Sequence, residues 1–267
     1  MNVPSFAKRD LYAAVFRRRS VRTFTGEELR PEDLASLQAA CAALLPAAPD
    51  TRLRLVTEGV GRVLPRPVFK GVPAFVAVIG KPHAPRPGAA AGYRGEYAVL
   101  AATALGLGTC WVSGTYRRAE AIRLAGLEED EVLHAVIAVG HGAEEPRFVE
   151  KLLKATAGSG GRKAIEELID PAGLPPAEIQ GWARTALEAA RLAPSAMNRQ
   201  PWRFLVEKEA ITVMLDSPRP SPFSKELDCG IAMLHLELGA AVAGVSGEWE
   251  WCEGREVARF RKTARRP

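Results

Sequence analysis

Cysteine and histidine are both scarce in this sequence of 267 residues, with four of each. The cysteines, at positions 41, 110, 229 and 252, form no CxxC pair. We therefore expect free thiols that pack as small apolar groups, as suits a reducing cytoplasm. The histidines show no spacing typical of metal ligands, so we predict no metal site, and we expect His235 to be a core residue with its hydrogen bonds satisfied.

Long apolar segments are also absent. The longest one, Tyr97–Leu107, is too short to span a bilayer, which needs about 20 residues. The first ten residues contain no apolar signal region. From these absences we expect a cytoplasmic protein with no membrane partner.

The composition is that of an ordinary globular chain, with 47% hydrophobic and 25% charged residues. It excludes collagen-like, disordered and low-complexity proteins. The formal charge of +5 is a mild excess, which is compatible with a phosphate-bearing small molecule and does not require nucleic acid. The basic tail at 255–266 is interpreted as a solvated helix, with contact to nucleic acid as the alternative.

Hydrophobic periodicity predicts alternating helices and strands along the chain. Helices are predicted over 8–18, about 31–45, 92–107, about 177–192 and 228–242, and strands over 52–57, 74–80, 109–113, 134–140 and from Phe204 onward.

The second half of the sequence repeats the plan of the first, which predicts one fold made of two related halves. The matched pairs are Pro31 with Pro176 and Pro49 with Pro194, both 145 apart, and Leu105-Gly106 with Leu238-Gly239, 133 apart, each predicted to close an apolar helix. We place the halves at 1–154 and 155–267, where the Gly-rich loop 155–163 divides the chain. The arrangement is what joining two subunits of a symmetric dimer in tandem would give.

Three short blocks could carry chemistry. Residues 17–24 read RRRSVRTF, and clustered guanidiniums beside a hydroxyl suit a phosphate dianion. Residues 193–204 read APSAMNRQPWRF, a polar turn whose small side chains would let the backbone approach a flat ring. Residues 105–114 read LGLGTCWVSG, a helix that ends on glycine before a strand. The structural alternatives are a solvated basic face or nucleic-acid patch, a plain helix stop, and a C-cap with a buried strand.

At these blocks the sequence resembles the nitroreductase family of FMN-dependent oxidoreductases. The family's RxSx(R/K)xF element is matched at 18–24, its PSxxNxQPW element at 194–202, and its AxxLGLGTxW element at 102–111. In ordinary members the PSxxN element precedes LGLG, whereas here it lies far downstream, and the first half has APDTR at 48–52 in its place. This order is similar to a fused-dimer branch of the family.

The resemblance implies an α+β fold, a mixed β-sheet flanked by helices with two pseudo-symmetric halves in one chain. Ordinary nitroreductases are homodimers with FMN at the subunit interface. Here one FMN would lie between the two halves of one chain, and a monomer is favoured. The resemblance implies that the cofactor is bound by Arg18, Arg19, Ser20, Arg22, Trp111, Ser113, Gly114, Arg162, Lys163, Pro194, Ser195, Ala196 and Asn198.

Within that set, the resemblance gives Arg18 and Arg22 the phosphate, and Arg162 with Lys163 a further basic contact. Backbone N–H groups of the strand after LGLG would lie near the flavin N5, where a donor helps the ring accept a hydride. No catalytic side chain is implied. The glutamate that the family usually has in this strand segment is replaced near Ser113.

The activity implied is reduction of FMN by NAD(P)H and of a small-molecule electron acceptor, such as a nitroaromatic or quinone, by the flavin. The alternatives are a flavin-binding protein without turnover, one with a specialised reaction such as flavin breakdown, or a basic nucleic-acid binder. A hydrolase GxSxG elbow, a complete Walker loop and a Rossmann GxGxxG fingerprint are all absent.

Overall fold

Two sheets, one in each half of the chain, form the framework of the protein. The structure, a computed structural model, describes residues 6–65, 67–143 and 161–263. The first half contains α1 (Lys8–Arg17), α2 (Pro31–Ala42), β1 (Thr51–Val56), α3 (Val60–Val63), β2 (Ala74–Gly80), α4 (Pro87–Ala104), β3 (Gly108–Val112), α5 (Arg118–Ala125) and β4 (Val132–Gly140). The second half contains α6 (Ile165–Leu168), α7 (Gly181–Arg191), β5 (Trp202–Val206), β6 (Ala210–Leu215), α8 (Lys225–Val242), β7 (Gly247–Trp251) and β8 (Glu256–Lys262). The predicted boundary at 154/155 and residues 155–160 of the Gly-rich loop lie outside the described residues.

The two sheets have the same strand order, β1-β2-β4-β3 and β5-β6-β8-β7, with antiparallel neighbours. Each sheet also has a register shift at the matching place, at Val78/Ile79 and at Val213/Met214. Isolated bridges outside the named strands, such as Ser20 with Thr109, add parallel pairs beside these antiparallel sheets. The predicted α+β fold with two pseudo-symmetric halves is therefore confirmed.

The halves meet where the central helices α4 and α8 cross. A Cβ at Gly92 would lie 2.0 Å from the Leu227 carbonyl oxygen, and one at Gly230 would lie 1.9 Å from the Ala89 carbonyl oxygen. Only glycine allows the two backbones to approach this closely. Gly92 is separated from Gly230 by the same offset in the sequence as Ala89 is from Leu227, so the crossing is a pseudo-twofold contact.

The helix-closing pair predicted from the repeat is wrong in its second member. Gly106 does end α4, with φ of +82°, but Gly239 lies inside α8, where its Cα packs against Ala186. The counterpart of Gly106 is Gly244, which follows α8 with φ of +78° and lies at the same offset as the two glycines of the helix crossing. A left-handed glycine after a helix is a C-terminal cap, whereas a buried helical glycine serves packing.

The basic tail also differs from its prediction, because residues 256–262 form strand β8 and no helix. Ala258 and Phe260 are buried, while Arg259 and Arg261 alternate with them. This period of two is that of a half-buried strand. The described arginines of the tail are ion-paired, Arg255 with Asp170, Arg259 with Glu207 and Arg261 with Glu250.

Two expectations about composition can be compared with the described residues. All four cysteines lie in the described ranges, none of them forms a disulfide, as predicted, and three of them are buried. Burial raises the pKa of the Cys41 thiol to about 12. None of the helices in the described ranges is long and apolar enough to cross a membrane.

Replacing Gly92 with alanine should destabilise the fold by about 3 kcal/mol or more, because the new methyl group must push apart two helix backbones. Gly61→Ala is the matched control, since a Cβ there meets nothing within 4 Å and replaces a helical glycine. Urea denaturation of both variants measures the difference. Equal stabilities for the two variants would contradict the close crossing of α4 and α8.

Candidate functional site

A cavity of about 260 Å³, here called the site cavity, lies between the two halves. Both halves contribute to its lining. The predicted cofactor-binding residues that line it are Ser20, Arg22, Trp111, Ser113, Gly114, Pro194, Ser195 and Ala196. The other lining residues are Val68, Phe69, Cys110, Val112, Thr115, Met197, Phe223, Leu227, Asp228 and Ile231. The walls are thus largely apolar, with a few polar groups, as is typical of a small-molecule site.

The residues after α1 reach the cavity by running beside strand β3. The Val21 N–H donates to the Thr109 carbonyl oxygen at 2.8 Å, and Ser20 forms a parallel bridge with the same residue. Side chains of extended backbone alternate between two sides. Ser20 and Arg22 therefore face the site cavity, while Arg19 and Val21 line a separate cavity of about 240 Å³. The structure does not place Arg19 with the other predicted residues.

The PSAMNRQP turn is held in an unusual backbone conformation. Met197, Asn198 and Gln200 have φ of +51°, +53° and +51°, a left-handed region that few non-glycine residues adopt. The Ser195 hydroxyl oxygen accepts a hydrogen bond from the Gln200 N–H at 2.9 Å, which holds the turn together. Several such residues in one turn are typical of a functional site, because surrounding contacts must hold them there.

Arg162 and Lys163, predicted as late basic contacts, lie against this turn. Arg162 donates from Nη1 to the Asn198 side-chain oxygen and from Nη2 to the Leu192 carbonyl oxygen at 3.2 Å. Lys163 donates from its backbone N–H to Gln200 Oε1 at 2.9 Å and from Nζ to the Gln200 carbonyl oxygen at 3.2 Å. Both cations are therefore held beside the turn although neither lines the site cavity.

Three guanidiniums lie within electrostatic reach of one another at this place. Burial, together with the smaller effects of the Arg18 and Arg191 charges, lowers the pKa of Arg162 to about 10, while Glu96 opposes them. Arg18 Nε is buried and has no hydrogen-bond partner among the described residues. Clustered, partly desolvated cations with an unsatisfied donor favour an anion between them. Arg191 belongs to no motif, and only its position as the last residue of α7, shortly before the turn, could have indicated it.

Trp111 is fixed in the cavity wall by a buried polar chain. Its indole Nε1 donates to Glu96 Oε2 at 2.7 Å, and Glu96 Oε1 lies 2.9 Å from His235 Nε2. His235 Nδ1 lies 3.1 Å from the Ala189 carbonyl oxygen, which can only accept, so Nδ1 is the donor there. One proton must then lie between Nε2 and Glu96, on either partner. The prediction that His235 is a satisfied core residue is confirmed, and no cluster of metal ligands occurs among the described residues.

Asp228 is a second functional candidate, after Arg191, that no sequence motif indicated. It is 4% exposed, lines the site cavity, and both its oxygens lie 3.2 Å from the Ala196 N–H. Burial raises the pKa of this carboxyl to about 7, against the smaller opposing effects of the Ala196 N–H and the Arg199 charge. A carboxyl that titrates near neutrality inside a cavity is typical of a functional site.

Comparison with known proteins gives one family and several similar folds. A family model described as "Putative TM nitroreductase" matches residues 10–240. A structure described as a "putative nitroreductase" from Thermotoga maritima aligns with a TM-score of 0.67 at 18% identity, over 97% of this chain and 96% of that one. This similarity extends over both halves and shows a shared fold. No curated protein matches the chain.

Two further structures align less well. A nitroreductase with bound FMN from Bacteroides fragilis gives a TM-score of 0.41 at 20% identity, over 52% of this chain and 91% of that one. A nitroreductase family protein from Clostridium difficile gives 0.46 at 18% identity, over 64% of this chain and 100% of that one.

The raised pKa of Asp228 predicts a pH-dependent stability. From about pH 4 to 7 the folded chain keeps a proton that the unfolded chain has lost, so this group's contribution to stability falls as pH rises through that window. Asp228→Asn removes that loss. The free energy of unfolding of the variant, relative to that of the parent, should therefore rise by a few kcal/mol as pH increases from about 4 to about 8, because one pKa unit corresponds to about 1.4 kcal/mol.

Urea denaturation across that pH range measures the gain. Asp216→Asn is the control. Burial by itself would raise the pKa of Asp216, but pairing with Lys225 Nζ at 2.8 Å outweighs that effect, so the pKa lies below its ordinary value. Loss of this pair should cost stability at neutral pH and less as pH falls. A constant difference between Asp228→Asn and the parent would contradict the assignment.

Proposed function

This chain belongs to the nitroreductase family whose model matches residues 10–240, and on that premise we propose that it is an FMN-dependent oxidoreductase. The family predicted from the three sequence blocks is thereby confirmed. In the proposed reaction NAD(P)H reduces the bound flavin, and a nitroaromatic, quinone or similar electron-poor small molecule then takes the electrons.

The observation that carries the proposal is a cavity with apolar walls beside clustered guanidiniums. Arg18 lies two residues before Ser20, which lines the cavity, and Asn198, which contacts Arg162, lies two residues after Ala196, which also lines it. FMN needs both parts, a slot for a planar ring and cations for a phosphate dianion. The unpartnered Arg18 Nε would gain an acceptor from that phosphate, so the residues fit the cofactor.

The end of strand β3 supplies donors for the ring. The ladder between β3 and β4 stops at Val112, and none of the described residues accepts a hydrogen bond from the N–H groups of Ser113 and Gly114. Both residues line the site cavity. Preorganised backbone donors of this kind stabilise charge that develops during reaction.

The chemistry that bound FMN would supply is uptake of a hydride at N5 and delivery of two electrons to the acceptor. The chain's own residues would bind the cofactor and orient it. Arg18, Arg162 and Arg191 would hold the phosphate, the Ser113 and Gly114 N–H groups would face the ring, and Trp111, fixed by Glu96, would form part of the wall. The aromatic and aliphatic lining of the site cavity would exclude water from the ring.

At the place that the pseudo-symmetry pairs with the site cavity, the Arg86 side chain is bound to carbonyl groups, which supports one FMN per chain. Arg86 immediately precedes α4 just as Ser224, next to the cavity residue Phe223, immediately precedes α8. Its guanidinium donates to the carbonyl oxygens of Cys252 at 2.8 Å, Gly254 at 2.8 Å and Glu256 at 2.6 Å. A flavin ring could occupy this place only if those hydrogen bonds were broken.

The remaining parts of the proposal follow from this arrangement. The halves 1–154 and 155–267 act as the two subunits of an intrachain pseudo-dimer, so the chain can build its site as a monomer. Four cysteines that form no disulfide are in keeping with a reducing cytoplasm. The ion-paired tail of strand β8 favours a small-molecule partner over nucleic acid.

Removal of a proposed phosphate contact should weaken FMN binding. We expect Arg18→Ala and Asn198→Ala each to raise the FMN dissociation constant about tenfold or more, since a charge-assisted hydrogen bond or its support contributes about 1.5–3 kcal/mol. Arg19→Ala is the matched control, because Arg19 lines the other cavity and should change the constant less than about twofold. Quenching of FMN fluorescence measures all three. Weakening by Arg19→Ala alone would overturn the site.

Reconstitution should give one FMN per chain, as read from the flavin absorbance of the purified complex. A value near two would contradict the proposed single site per chain.

Anaerobic mixing of the FMN-loaded chain with NADH or NADPH tests turnover directly. An enzyme should lose its flavin absorbance rapidly and regain it on addition of a quinone or nitroaromatic. A loaded protein that stays oxidised would favour flavin binding without turnover.

A further inference from the structure

We infer that Asp228 is a pH-responsive group of the proposed flavin site, whose carboxylate form opposes electron uptake by the cofactor bound there. The inference rests on the proposed function and assigns a role to a residue that none of the three motif blocks contains. Asp228 would act as a tuning residue that sets the pH range in which the site is readily reduced.

The position of Asp228 gives its side chain a direct influence on the site cavity. It lies in the first turn of α8, next to Leu227, whose carbonyl oxygen faces Gly92 at the helix crossing. Among the described residues that line the cavity, it is the only one with a carboxyl group. Its burial means that a charge on this carboxylate would be poorly screened by water.

The contacts of Asp228 favour a neutral acid. Both oxygens share one donor, the Ala196 N–H, and no lysine or arginine among the described residues lies within ion-pair distance. A protonated carboxyl can accept that single bond with one oxygen and keep an O–H for the cavity. Asp216 shows the contrast, because Lys225 pairs with it and keeps it ionised.

The surrounding charges do not cancel the effect of Asp228. Arg199 is the nearest cation on the turn, but its guanidinium lies over the Phe223 ring, 5.5 Å from the ring centroid. The titratable or charged groups near Asp228 are Arg22 and Cys110, which line the same cavity, Arg199 on the turn, and Glu226 and Cys229, its neighbours in the sequence of α8. Glu226 is paired with Arg86 and Cys229 is a buried thiol with a raised pKa. The lining therefore carries one fixed positive charge, Arg22, and one group that switches, Asp228.

The protonation state of Asp228 affects the proposed reaction because reduction adds charge to the ring. In hydride transfer from a reduced nicotinamide, a C–H bond of the donor breaks, an N–H bond forms at N5 of the flavin, and the donor leaves as its oxidised cation. Two electrons and one proton arrive together, so the ring side gains one negative charge. Beside a neutral acid this charge is tolerated, whereas a carboxylate in the same apolar cavity repels it.

The test is the midpoint potential of the FMN-loaded chain as a function of pH, for the parent and for Asp228→Asn. The two should agree at about pH 6, where the parent carboxyl is protonated, and the parent should be harder to reduce at about pH 9. Asp216→Asn is the matched control, since its carboxylate stays charged over this range and should leave the parent profile unchanged. Identical profiles for the parent and Asp228→Asn would overturn the inference.

A second measurement uses the parent chain alone and therefore does not depend on whether a variant folds. Infrared difference spectra of the parent chain should show a buried carboxylic acid C=O band at about pH 6 that disappears by about pH 9. A carboxylate already formed at about pH 6 would overturn the inference.

The two proposals fail in different ways. If the chain binds no FMN, the proposed function fails and this inference falls with it. If the chain binds FMN and NAD(P)H reduces it, but Asp228→Asn leaves the dependence of the midpoint potential on pH unchanged, only this inference fails.

Discussion

Contacts between the two halves follow from how closely α4 approaches α8. Gly92 and Gly230 bring each helix backbone against a carbonyl group of the other, and no side chain fits between them. The crossing fixes the first turn of α8, where Leu227 contributes both the carbonyl that faces Gly92 and a side chain that lines the site cavity. Helix packing and site geometry are thus two consequences of one contact, because interiors this closely packed transmit small displacements.

How much of the fold could be predicted depended on how each segment is buried. Strand β2 was predicted to the residue, because a strand covered on both faces gives a continuous apolar run. Helix α4 begins five residues before its predicted start, since the small residues Ala89–Ala91 are buried all round and show no amphipathic pattern. The sequence pattern did not reveal the common offset that relates the two central helices, because Gly92 and Gly230 matter only through a tertiary contact.

The residues of the candidate site also fall into a group that the sequence predicts and a group that it does not. Residues whose backbone conformation matters, such as Ser195 in the strained turn, belong to motifs and were predicted to lie together, and eight predicted residues do line one cavity. Arg19 belongs to the same motif but faces the other side, because extended backbone alternates. Arg191 and Asp228 could not be predicted, since what distinguishes them is burial and neighbouring charge, and neither leaves a pattern in the sequence.

The two halves have kept the same strand order while their contributions to the interface have diverged. Trp111 and Trp249 occupy equivalent places in the two halves, and each donates its indole N–H to a glutamate on its own central helix, Glu96 or Glu237. Their surroundings differ, because the site cavity lies beside Trp111, whereas at the end of β7 the Arg86 guanidinium donates to the Cys252 carbonyl oxygen at 2.8 Å. In a symmetric homodimer both pockets are identical and can influence each other. If the chain acts as proposed, as a monomer with one site, it has no second equivalent pocket to couple to, and its ligand saturation curve would be a simple hyperbola with a Hill coefficient of one.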